Sequence, residues 1–183
     1  MAKAMKWITV ISFVLCAVFT GLNLAGQAWA FSCAITFGTF LYHFAMRLTV
    51  GHVIDRVMDN RADYTKPWYQ LRNFEGQVYK ALGVKKWKGN MPTYQPTLFD
   101  PKLHSWDEIA QAMCQAEIVH EVIVVLSFLP LLAAIPFGAF PVFLITSLLA
   151  AMYDLTFVIM QRYNRPRILK YLQLSQKRAE RSK

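Results

Sequence analysis

Glu117, His120 and Glu121 stand at positions i, i+3 and i+4, a spacing that puts all three on one face of a helix. They lie at the mouth of an apolar run, residues 122–135. Ionisable side chains carried into a bilayer are costly, so those retained there are candidates for function. A carboxylate can orient an imidazole so that its other nitrogen takes a proton, which makes Glu117 the orienting group and His120 a general base. Glu-x-x-His spacing also occurs in di-metal carboxylate bundles, but that chemistry needs a second such motif on another helix, and the chain has none. The plainer reading is a polar pair marking where a helix enters the membrane.

Other candidates surround this one. His43 and Arg47 are i, i+4; Arg47 either snorkels to the surface or holds a phosphate or oxyanion, and His43 is either a core histidine or a base. Asp154 can accept a proton or hold Arg47. Glu75 is a carboxylate on an apolar stripe and needs a partner or a proton. Lys85-Lys86-Trp87-Lys88 suits a phosphate or headgroup, with Lys86, Trp87 and Lys88 as contacts, or a generic basic anchor. Arg162-Tyr163-Asn164-Arg165-Pro166-Arg167 sets three guanidinium forks, Arg162, Arg165 and Arg167, around Asn164. That cluster fits phosphate binding as well as anchoring. Glu121 joins the substrate-binding candidates, whereas His52 and His104 read as peripheral.

The elements that must position these groups are membrane helices. The chain has 183 residues, 55% of them hydrophobic, and a mean hydropathy of +0.28, too apolar for an ordinary soluble domain. Segments 7–26, 29–50, 118–137 and 139–160 each approach the ~20 residues needed to cross a bilayer core. The expected fold is all-α: one membrane domain, a four-span bundle with interfacial helices in the 51–117 segment and a basic tail, 162–183. Lys3, Lys6 and Ala28-Trp29-Ala30 imitate a signal peptide, but the apolar stretch is too long, and residues 1–30 read as a retained helix. The connections at 24–30 and 134–140 carry no Lys or Arg. The positive-inside rule therefore places both termini and the 51–117 cap in the cytoplasm, in a multi-pass protein of the cell membrane. A formal charge of +9 suits anionic lipids or phosphorylated donors; no nucleic-acid motif is present. Cys16, Cys33 and Cys114 have no metal or redox spacing and are expected to pack without a disulfide.

Within the cap, Pro67 opens and Gly83 closes an expected amphipathic helix over 67–82, with Leu71, Glu75, Val78 and Leu82 on one face. Four breakers, Gly89, Pro92, Pro96 and Pro101, make 89–101 irregular. Ser105 and Glu108 match a capping box, from which a single helix runs into the third span. Asn164 and Pro166 are expected to end the fourth.

Asn73-Phe74-Glu75, Val84-Lys85-Lys86-Trp87-Lys88, Ala116-Glu117-Ile118-Val119-His120 and Gln161 through Arg167 occur in an order that resembles the glycosyl-4,4'-diaponeurosporenoate acyltransferases. The resemblance covers roughly 65–183. Those bacterial membrane proteins are assigned to the last step of staphyloxanthin synthesis, acylation of a carotenoid glycoside on a sugar hydroxyl. The resemblance implies acyl transfer to a hydroxyl of a glycolipid or carotenoid glycoside, and gives weight to Glu75, Glu117, His120 and Arg162 to Arg167. The chemistry of the residues supplies the roles: His120 as base, Glu117 orienting it, and Glu75, with His43, as further acid/base groups. Arg47, Lys86 and the arginine cluster would bind donor phosphates or the oxyanion. The donor is an acyl-CoA, an acyl-carrier protein or a phospholipid, and no cofactor or metal is called for. The chain lacks a His-x4-Asp motif and a Gly-x-Ser-x-Gly elbow, so no acyl-enzyme is indicated. Two alternatives stay open: a metal-dependent intramembrane lipid hydrolase or transferase, and a non-enzymatic lipid-binding assembly subunit.

Overall fold

The computed structural model describes residues 2–181, which are all-helical, with no strand among them. Seven α-helices follow in order: α1 Ala2–Leu24, α2 Ala30–Met58, α3 Glu75–Ala81, α4 Val84–Trp87, α5 Trp106–Leu126, α6 Ala134–Phe137 and α7 Phe140–Arg181. Three stretches are long and apolar enough to cross a membrane: Ala2–Leu24, Trp106–Phe137 and Phe140–Arg181. At 29 residues α2 has the length, but its polar and charged residues keep it out of that group. The described residues fall into two compact units, 2–52 with 122–153 and 53–121 with 154–181.

In the first unit α1 and α2 turn back on each other through residues 25–29, where Gly26 takes φ 91°. Phe19 stacks on Phe37 at 5.5 Å between ring centroids. Pro130 falls four residues after Leu126 and has no N–H to bond the Leu126 carbonyl. The α-helix ends there, a 3₁₀ turn Leu129–Ala133 follows, and the orphaned carbonyl accepts the Tyr42 hydroxyl at 2.7 Å. Ser12, Thr39, His43, Ser127 and Ser147 are buried, whereas Trp7, Ile135 and Leu149 are 67%, 83% and 62% exposed. Polar inside and apolar outside is the pattern of a protein solvated by lipid.

The second unit is built on α5 and the 154–181 part of α7. Ser105 and Glu108 form the reciprocal capping box: the Ser105 amide donates to Glu108 Oε2 at 2.8 Å, and the Glu108 amide to Ser105 Oγ at 3.2 Å. The Tyr64 hydroxyl reaches Asp107 at 2.7 Å, and Gln115 bonds the Asn60 amide at 2.7 Å and Asp55 at 3.0 Å. These bonds fasten residues 55–64 along α5. Ile109, Ala110, Met113 and Cys114 are buried on the same helix.

Two sequence-based expectations are corrected here. Residues 67–82 do not form one helix: a 3₁₀ turn Pro67–Tyr69 is followed by extended backbone at Gln70 and only then by α3. The carbonyls of Trp68, Tyr69 and Gln70 accept arginine donors instead of helical amides, which is why the helix starts late. Leu71, Val78 and Leu82 are exposed, and Glu75 and Tyr79 are the buried pair of α3. Gly83 does close α3, in the left-handed region at φ 60°. Second, α7 does not stop at Asn164 but runs through Pro166 to Arg181. Proline costs the helix only the amide bond to the Arg162 carbonyl and local ring strain, and the Asn164 side chain is engaged by Lys88 rather than capping a terminus.

Candidate active site

Within the second unit a buried ion cluster joins α3, α5 and α7. Glu117 is 0% exposed, and Arg165 is 1% exposed. A carboxylate this deep must be paired and hydrogen-bonded to stay charged. Arg162 Nη1 donates to Glu117 Oε1 at 2.7 Å, and Arg165 Nη2 donates to Glu117 Oε2. Arg162 and Arg165 stand at i and i+3 on α7, so one helical face presents both forks to a single carboxylate.

Arg162 also holds Glu75 in a two-point pair, Nε to Oε2 at 2.9 Å and Nη2 to Oε1 at 2.6 Å. Its remaining donors go to the Trp68 and Gln70 carbonyls, each at 2.9 Å. Arg165 reaches the Tyr69 carbonyl at 2.6 Å and lies against the Tyr69 ring. The Tyr79 hydroxyl, one turn along α3, donates to Glu75 at 2.5 Å. Burial alone would raise the Glu75 carboxyl, but the Arg162 and Tyr79 hydrogen bonds outweigh it and hold its pKa below the ordinary value. Burial and the Glu75 carboxylate push the Tyr79 phenol up to about 12. Two carboxylates and two guanidinium groups thus neutralise one another, and the cluster secures residues 68–79.

A second pairing lies on α5 and α7. His120 Nδ1 is 2.9 Å from Asp154 Oδ1, and the imidazole stacks on Phe157 at 4.5 Å, tilted by 8°. Asp154 is 1% exposed; the His120 side chain is 22% exposed, and its Nε2 has no hydrogen-bond partner among the described residues. The carboxylate bonded to His120 is therefore Asp154 and not Glu117, whose two oxygens are bonded to arginines. Glu121 accepts the Trp68 indole N–H at 3.0 Å. An open cleft of about 200 Å³ is lined by Trp68, Arg72, Phe74, Glu75, Glu121 and Arg162.

Lys88 is half-buried, donates to Asn164 Oδ1, and sits 4.8 Å from the centroid of the Tyr163 ring. Lys85, Lys86 and Arg167 are exposed, and the Trp87 indole donates to the Leu82 carbonyl at 3.1 Å. His43 and Arg47 belong to the first unit, where His43 is buried and Arg47 donates to the His43 carbonyl at 2.9 Å and the Ala150 carbonyl at 3.4 Å. His52 is exposed, and His104 lies 3.7 Å from Glu108 at the start of α5. No three His, Cys, Asp or Glu side chains converge as a metal site among the described residues.

Tyr79, Trp68, Arg72 and Phe157 are not among the site residues expected from the sequence, which offers Trp68 and Tyr79 only as aromatics for the headgroup region. Tyr79 was the most legible of them, being i+4 from Glu75. The others are recognisable only once α7 lies beside α5 and the 67–75 segment.

The model of the glycosyl-4,4'-diaponeurosporenoate acyltransferase family matches residues 65–174, more than half of the chain, and the chain belongs to that family. No curated protein and no solved structure matches. The matched stretch contains the whole ion cluster, His120 with Asp154, and Lys88 with Arg167; His43 and Arg47 precede it.

The cluster makes a stability prediction. Glu117→Ala leaves the buried Arg165 without its carboxylate and removes one of the two from Arg162; it is expected to cost about 3–5 kcal/mol, read as a lower denaturation midpoint in detergent. Arg167→Gln, on an exposed cation, is expected to stay within about 0.5 kcal/mol of wild type. Equal, small effects from both substitutions would contradict the clasp.

Proposed function

We propose that this member of the glycosyl-4,4'-diaponeurosporenoate acyltransferase family transfers a fatty acyl group to a hydroxyl of a glycolipid or carotenoid glycoside, with His120 as general base. The carrying observation is the His120–Asp154 pair: Nδ1 is held by a buried carboxylate at 2.9 Å, and Nε2 has no hydrogen-bond partner among the described residues. Asp154 fixes the tautomer that keeps the proton on Nδ1 and leaves Nε2 as the acceptor. Phe157 holds the ring plane.

In this reading Nε2 takes the proton of the acceptor hydroxyl as its oxygen attacks the acyl carbonyl. The tetrahedral adduct collapses with loss of the donor's leaving group, a thiolate from acyl-CoA or acyl-carrier protein or an alkoxide from a phospholipid. That group recovers the proton from the imidazolium, which the Asp154 carboxylate stabilises meanwhile. Neither the serine nor the cysteine of an acyl-enzyme is needed. Glu75 and Glu117, committed to arginines, act as positioning residues in place of the acid/base and imidazole-orienting roles read from the sequence. Arg162 and Arg165 position the 68–79 segment.

The surrounding architecture supports a membrane-face enzyme. The reading is a four-span bundle with α2 as the second span and both termini and residues 51–117 on the cytoplasmic side. In it, 67–87 lies in the interface. Trp68, Leu71, Phe74, Val78 and Leu82 are exposed apolar side chains, interleaved with exposed Lys66, Arg72 and Lys80, a composition suited to the headgroup boundary.

Two outcomes test this. In protein reconstituted with a radiolabelled acyl donor, His120→Ala is expected to lower kcat about 10²–10⁴-fold with the fold retained. Turnover near wild type in that variant eliminates the base. For topology, cysteines introduced by Asn60→Cys and Arg178→Cys in a background free of Cys16, Cys33 and Cys114 are expected to resist an impermeant thiol reagent in intact cells and to react after lysis. Labelling from outside would reverse the orientation.

A further inference from the structure

We propose that Lys88, flanked by Lys85 and Arg167 and seated on Tyr163 and Asn164, forms a binding site for a phosphate ester. The cations of this region fall into two groups. Arg162 and Arg165 are matched by the carboxylates of Glu75 and Glu117. Lys85, Lys86, Lys88 and Arg167 have no carboxylate pair among the described residues.

Lys88 is the organised member of the second group. It leaves α4 at the start of a 3₁₀ turn, Lys88–Asn90, and its ammonium is held from two sides. Asn164 Oδ1 accepts one N–H, and the Tyr163 ring lies under the charge at 4.8 Å. Both are neutral groups; they aim the ammonium without cancelling it. Tyr163 is in turn set by an edge contact with Tyr79, 6.0 Å between centroids, so the seat is continuous with the ion cluster. An ammonium has three donors, and Asn164 uses one.

Burial, and then the nearby charges of Arg167 and Lys85, hold the Lys88 amine below its ordinary pKa. Like charges gathered around a half-buried ammonium oppose one another until an anion arrives. A phosphate ester answers all three, with several acceptor oxygens for two remaining ammonium donors and a guanidinium fork. A carboxylate ligand offers fewer oxygens and suits a single fork. This site gives the phosphate-binding role read from the arginine motif to Arg167 and Lys88, and removes it from Arg162 and Arg165.

The inference rests on the acyl-transfer reading only for why such a ligand would come: acyl-CoA, acyl-carrier protein and phospholipid donors all carry a phosphate ester. Two sources share that chemistry, a soluble phosphate ester and a phospholipid headgroup. Both are tested on the full chain in phosphatidylcholine nanodiscs, by calorimetric titration with coenzyme A. A parallel arm measures phosphatidylglycerol retained from mixed-lipid discs by native mass spectrometry. For at least one probe, Lys88→Gln and Arg167→Gln are expected to weaken binding about tenfold or more. Lys88→Arg, which keeps the charge, is expected to retain most of it, and Arg178→Gln in the tail to stay within about twofold of wild type. A loss confined to coenzyme A assigns the soluble ester; a loss confined to phosphatidylglycerol assigns the headgroup. Wild-type affinity of both variants for both probes, or no binding of either probe to wild type, overturns the site. No turnover is measured, so a chain inactive in acyl transfer would still give this answer.

Discussion

A carboxylate with no exposed surface, Glu117, sets the terms for the second unit. An isolated buried charge of this kind is several kcal/mol too costly to keep, so partners must be built around it. Arg162 bonds only one of the carboxylate oxygens, because its other donors are taken by Glu75 and backbone carbonyls. The chain supplies two guanidinium groups, from Arg162 and Arg165, and that requires α7 to stay helical through both positions. The second guanidinium then needs its own counter-charge, which Glu75 provides from α3. Further arginine donors find acceptors in the carbonyls of Trp68, Tyr69 and Gln70. Those carbonyls are available only because residues 67–74 are not α-helical. The late start of α3, the buried Glu75–Tyr79 face and the uninterrupted run of α7 are consequences of one desolvated carboxylate.

This constraint also separates scaffold from chemistry. Side chains whose charges are spent on one another have little left for a substrate. Glu75, Glu117, Arg162 and Arg165 belong to that class, although the buried Arg165 Nε has no hydrogen-bond partner among the described residues. His120 does not: one nitrogen is bonded to Asp154, and the other has no hydrogen-bond partner among the described residues. Lys88 and Arg167 do not either, since nothing anionic in the described chain answers them. Under the proposed function such a division is useful, because a neutral ion cluster holds backbone in place without attracting solvent ions and leaves other groups to meet the ligand.

Much of this was legible in the sequence, and the reasons differ by element. The capping box at Ser105 and Glu108 was readable because its two bonds are local. The one-face grouping of Glu117, His120 and Glu121 followed from helical spacing, and the family resemblance rested on motifs that the family match also covers. What failed was the choice of partners. Glu117 and His120 are i, i+3 neighbours, so spacing paired them; three-dimensional packing instead gave His120 to Asp154, 34 residues on, and Glu117 to the arginines. Pro166 was misread for a similar reason. A helix-breaking residue has a local cost, and here burial of Arg165 just before it favours helix. Asn164 looked like a cap because its other use, under Lys88, depends on a contact 76 residues away. The polar residues of α2 keep it from the clearly apolar helices, although its length matches a span.

The central claim, that His120 and Asp154 act as one unit in acyl transfer, is tested most directly by a double-mutant cycle on turnover. Rates of His120→Ala, Asp154→Asn and the double variant would be measured on reconstituted protein with the same labelled donor. If Asp154 works through the imidazole, Asp154→Asn lowers the rate in the presence of His120. It changes nothing further, to within about twofold, once His120 is gone. If the double variant instead shows the product of the two single losses, the residues act independently and the dyad is contradicted.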